Sequence, residues 1–109
     1  MQDAMKGMDE THKGYMQAMV DMRQPMMEGM MAKDADVAFV CGMIPHHQGA
    51  IAMARVVLKH GDDPQARKIA ERMIKDQEKD FQEMTAWRRS MRKSDTVGGR
   101  SAARHRVGL

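Results

Sequence analysis

The tetrapeptide Gly61-Asp62-Asp63-Pro64 constrains this chain more than any other feature. Glycine is the usual residue just past a helix end, while an acidic N-cap followed by proline at the first helical position opens a new helix. The stretches on either side are long and helical in period. The short connection therefore predicts an antiparallel hairpin: one helix from Asp34 or Asp36 to His60, another from Pro64 through Trp87 to about Arg92.

The first arm carries Met43-Ile44-Pro45-His46-His47-Gln48-Gly49-Ala50-Ile51-Ala52-Met53-Ala54. At about 100° per residue, Met43, His46, His47, Ala50 and Ala54 lie within roughly 60° of one direction, with Met53 slightly outside that arc. Cys41 and Pro45 point nearly the opposite way. Pro45 has no N–H for the carbonyl of Cys41, so a bend is expected there, with the His pair beside it. On the second arm, Ala66, Ile69, Ala70, Met73, Gln77, Asp80, Met84, Trp87 and Met91 share one face. Gln77 and Asp80 interrupt an otherwise apolar stripe. A buried polar group is costly without a partner, so His46 and His47 are expected to face them. Counted outward from the turn, His47 and Gln77 stand at similar height.

Residues 3–22 form a further helical stripe, with Met5, Met8, His12, Met16 and Met19 on one side. Pro25 and Gly29 are expected to interrupt it over Arg23–Lys33. The fold expected is an all-α, antiparallel three-helix bundle in which helices one and three bracket helix two. A dimer would complete a four- or six-helix core, because a chain of 109 residues has little surface in which to bury three apolar stripes. Residues 1–93 form the expected domain, and 94–109 a basic disordered tail. The formal charge of +3 divides unevenly: 11 − 14 = −3 over residues 1–87 and 7 − 1 = +6 over 88–109. Without interleaved aromatics, the basic tail gives no specific nucleic-acid signal. The longest apolar run, Val37–Ile44, is too short for a transmembrane segment, and the start of the chain lacks a signal-peptide pattern. Cys41, the single cysteine, excludes an internal disulfide.

Fifteen methionines against two Phe, one Tyr and one Trp admit two readings. Thioether sulfur suits Cu(I) or Ag(I) and imidazole suits copper in both oxidation states. His46 and His47 with Met43, Met53, Met73 and Met84 would then hold a soft metal, Gln77 and Asp80 would orient the imidazoles, and Met8, His12 and Met16 would add ligands from helix one. The other reading is a structural or protein-interaction module in which methionine is flexible packing. A third reading is an enzyme that oxidises bound copper. Zinc leaves the sulfur without purpose, and a di-iron centre lacks its paired Glu-x-x-His motifs. No hydrolase or phosphate-binding motif is present, so a non-enzymatic role is expected.

The run MIPHHQGAIAMA, preceded by Asp36 and Phe39 and followed by Gly61, Gln77, Met84 and Trp87, resembles the family described as domain of unknown function 305. The resemblance covers roughly Asp34 to Trp87 and extends more loosely to helix one. It implies a small helical bundle with a ferritin-like helical hairpin core, usually periplasmic or secreted, with some members linked to copper and silver binding and tolerance. The motif positions carried over are Met43, His46, His47, Met53, Gln77, Met84 and Trp87; Asp80 stands where the family commonly has Glu. The function expected is Cu(I) or Ag(I) binding in the cell envelope as buffer, scavenger or chaperone.

Overall fold

In the computed structural model, which describes residues 9–98 and the side chains of residues 9–91, three helices follow one another: α1 (Glu10–Met30), α2 (Ala35–His60) and α3 (Pro64–Gly98). The all-α, antiparallel architecture is as expected. Among the described residues there is no strand, and no helix is long and apolar enough to cross a membrane.

The helix ends follow from local chemistry. Asp34 caps α2, its carboxylate accepting from the Val37 N–H at 3.2 Å. Asp63 caps α3 in the same way through the Ala66 N–H at 2.9 Å. Gly61 ends α2, but with extended backbone (φ −84°, ψ 157°) open to any residue. Space is what requires glycine there, since a Cβ would stand 2.6 Å from Val57 Cγ2. Arg67 reaches back from α3 to donate to the carbonyls of Leu58 (2.6 Å) and Gly61 (3.1 Å), which satisfies acceptors that the end of α2 leaves open.

Among the described residues helix α1 begins after the N-cap Asp9, and it runs unbroken through Pro25 to Met30 instead of being interrupted over Arg23–Lys33. Residues 1–8, Met5 and Met8 among them, lie outside the described residues. The C-terminal half of α1 stays helical because it is packed on α2 through glycine. Met22 fills the space beside Gly49, Met30 that beside Gly42, and Val56 of α2 that beside Gly14. At Gly29 the two backbones meet, and a Cβ there would press on the Cys41 carbonyl. That carbonyl is the one to which Pro45 cannot donate. Tertiary packing thus outweighs the local preference of Pro25 and Gly29 to break the helix.

Helix α2 also continues as one α-helix through Pro45, which is buried and lines a cavity with Pro25, Ala18 and Gly49. Helix α3 passes the boundary expected at residue 93 and extends to Gly98; residues 99–109 lie outside the described residues. Both α1 and α3 pack on α2 but scarcely touch each other, giving a slab of 51 × 32 × 18 Å. Its buried core is correspondingly small: Ala18, Ile44, Ala54, Ala70 and Met91.

Candidate metal centre

His46 and His47 occupy the middle of α2, where the helical repeat sends them to different surroundings. His47 turns toward α3 and is largely covered, with 14% of its side chain exposed, whereas His46 is exposed. Their ring centroids are 5.9 Å apart and the rings are inclined by 58°.

The hydrogen bonding of His47 fixes its chemistry. Its Nδ1 lies 2.9 Å from the Met43 carbonyl oxygen. A carbonyl can only accept, so Nδ1 carries the proton and donates. Nε2 faces Asp80 Oδ2 at 3.4 Å. In the neutral ring that nitrogen is a lone pair, and it confronts a carboxylate that is also an acceptor. Two acceptors hold this geometry comfortably only with a proton or another cation between them.

The hairpin register differs from the count made on sequence. His47 meets Asp80 rather than Gln77, and the Gln77 Oε1 is buried without a hydrogen-bond partner among the described residues. Asp80 thus stands at the one free ring nitrogen of His47, the other being held by the Met43 carbonyl, and Gln77 makes no bond to the pair. Given the pairing of His47 with Asp80, Met43 and Met84 fall at equal height about 6 Å along the hairpin, and both are half-buried.

Met53 and Met73 belong to another tier. They line a groove of about 350 Å³ with Tyr15, Val57 and Ile69, and Met53 stands six residues, about 9 Å, from His47 along α2. Met43 and Met53 are thus separated by about 15 Å of helix, too far for their sulfurs and both imidazoles to surround a single ion. The six expected central ligands divide into a His46/His47/Met43/Met84 tier and a Met53/Met73 tier.

Helix α1 contributes at the far end. Because Gly14 abuts Val56 and Gly49 abuts Met22, His12 lies level with Leu58, about 17 Å from His47 along α2. Its ring is engaged in capping, with Nδ1 2.7 Å from Asp9 Oδ1 while its N–H donates to the same oxygen at 2.8 Å. Those bonds, the backbone one foremost, hold the Asp9 carboxyl below its ordinary range; proximity to His60 adds a smaller effect in the same direction. Met16 is half-buried on α1 at the height of the groove, and Met8 lies outside the described residues.

Among the described residues no three His, Cys, Asp or Glu side chains gather where they could hold a metal ion. Sequence reasoning missed the glycine contacts and the groove formed with Tyr15, Val57 and Ile69. The seven-residue spacing of Gly42, Gly49 and Val56 was the available signal for the first. No curated protein matches the chain. The family model described as domain of unknown function (DUF305) matches residues 1–88, and the chain belongs to that family.

Proposed function

We propose that the protein binds a soft monovalent metal ion, Cu(I) or Ag(I), without catalysing a reaction, and serves in the cell envelope as a metal buffer, scavenger or chaperone in metal tolerance. The observation that supports this reading is the confrontation of His47 Nε2 with Asp80 Oδ2 at 3.4 Å while Nδ1 is committed to the Met43 carbonyl. A metal ion, or a proton on the ring, would fit between the two. The exposed His46 ring stands beside it, and the thioethers of Met43 and Met84 are one helical turn away. In this reading His46 and His47 Nε2 supply nitrogen and Met43 and Met84 supply sulfur. Asp80, beside Nε2, balances the charge of the ion. The envelope location rests on the family likeness alone.

Titration of Cu(I) against a chromogenic competing chelator tests the proposal. The intact protein is expected to withdraw copper from the chelator, and His46→Ala/His47→Ala to withdraw markedly less. Equal withdrawal by both would refute this site.

A second reading is favoured by the exposed apolar side chains, Phe39 at 64% among them: a helical interaction module with a Met-rich surface and no metal. It predicts that His46→Leu/His47→Leu keeps partner binding and that Cu(I) leaves thermal stability unchanged.

A further inference from the structure

The slab has two unlike faces. On α2, the residues that meet α1 (Gly42, Gly49, Val56) and those that meet α3 (His47, Leu58) point in roughly opposite directions at about 100° per residue. Two faces of the layer are left between them. One is polar and carries the pairs Gln17–Asp21, Gln24–Glu28 and Arg55–Glu78. The other carries Met19 and Met30 of α1, Phe39 and Met53 of α2, and Ile69 and Met73 of α3, all between 38% and 64% exposed. At about 200 Å² per large side chain, these six leave on the order of 550 Å² of apolar surface, near the upper end of what a monomer shows. The half-buried residues between them bring the face toward the roughly 800 Å² that each partner contributes to a standard interface.

A domain normally sets two layers against each other, and the described residues build one. Among the positions of α2 on this face, Phe39, Met43, His46, Ala50, Met53 and Val57, there is no Lys, Arg, Asp or Glu. The α2 strip of the face can therefore meet its own copy without burying like charges, while Asp80, on the α3 side of the face, is held against His47. The spacing fits a two-fold: Phe39, His46 and Met53 recur every seven residues, and His46 lies at the middle of α2. An axis through His46 places Phe39 of one copy over Met53 of the other, and Met53 lines the 350 Å³ groove.

We propose that a second copy of the chain covers this face, with the two α2 helices crossing antiparallel at His46 and Phe39 of each copy seated in the Tyr15–Met53–Val57–Ile69–Met73 groove of the other. The expectation of a homodimer thereby acquires a face, an axis and an anchor residue. Pairing is apolar and needs no metal, and because the face includes His46 and Met43 it is tested apart from copper, with a chelator present.

The test uses the full chain with a metal chelator present. Sedimentation or light scattering should give twice 12.4 kDa, about 24.8 kDa, at micromolar concentration. Phe39→Glu should raise the dissociation constant by at least about tenfold, with helicity unchanged by circular dichroism because Phe39 is already exposed. In a Cys41→Ser background, mild oxidation should cross-link His46→Cys to itself, and Phe39→Cys to Met53→Cys in a mixture of the two variants. Gln48→Cys, on the polar face, should not cross-link. A monomer throughout the concentration range would overturn the proposal, as would a dimer indifferent to Phe39→Glu or cross-linking through Gln48→Cys. A monomer that floats with phosphatidylglycerol vesicles would overturn it too, by assigning the face to lipid.

Discussion

Replacing Gly29 with alanine tests how closely α1 and α2 approach. The added Cβ would stand 2.5 Å from the carbonyl carbon of Cys41 and 2.9 Å from the Gly42 nitrogen, and it would press hardest on the Cys41 oxygen. Ordinary contact between carbon atoms is about 3.5–4.0 Å. The end of α1 must therefore retreat by about 1 Å, and because the obstacle is backbone, no rotamer change relieves it. Overpacking of this kind costs about 1–3 kcal/mol. Against it stands the helix preference of alanine over glycine, at most about 1 kcal/mol and less this near the helix end. Retreat also loosens Met30 from Gly42 and Met22 from Gly49. The net expectation is a loss of about 2 kcal/mol, which for a domain of this size lowers Tm by roughly 8–16 °C. Urea and thermal unfolding followed by circular dichroism measure it. Gly49→Ala should cost less, because its nearest neighbour is the Met22 sulfur, the flexible part of a side chain, and Met22→Ala should relieve part of that cost. An unchanged or raised Tm for Gly29→Ala would refute the backbone contact.

Further expectations concern the helix ends. Arg67→Ala should destabilise the hairpin by about 1.5–3 kcal/mol through loss of the charged donor to the Leu58 and Gly61 carbonyls, and Arg67→Lys should recover only part of it; chemical denaturation with an unchanged m-value is the check. Asp9, held below its ordinary 3.8 chiefly by the His12 N–H, stabilises the start of α1 above the usual carboxylate range. That contribution is lost as pH falls through the lowered folded value, so protection of the His12 amide against hydrogen exchange should decline only below about pH 4. In Asp9→Asn the same protection should be weaker and show no such step.

The hairpin was legible because its signals are local. Asp34, Asp63 and Pro64 act within one turn of their own position, and the structure uses each as a cap or first residue. The continuation of α1 was not legible. Pro25 and Gly29 read as breakers by propensity, and only contact with α2 turns Gly29 into a point of approach rather than an end. Gly61 was placed correctly for a different reason: crowding by Val57 rather than left-handed backbone. The His pair and its carboxylate partner were readable from the polar interruptions in two apolar stripes. The choice of Asp80 over Gln77 was not, because counting residues from a turn fixes height only to within about a helical turn. Sulfur placement failed for the same reason. Met43 and Met53 share a helix face by angle, yet rise along the axis puts them about 15 Å apart and in different tiers. The groove with Tyr15 and Ile69 depended on three helices at once and left no trace in any one segment.

X-ray absorption at the copper edge of the Cu(I)-loaded protein addresses the metal proposal most directly. Nitrogen and sulfur neighbours are expected together, at about 2.0 and 2.3 Å, with the nitrogen contribution removed in His46→Ala/His47→Ala and the sulfur contribution reduced in Met43→Leu/Met84→Leu. Copper surrounded only by nitrogen and oxygen, or a spectrum indifferent to both double variants, would contradict soft-metal binding at this pair.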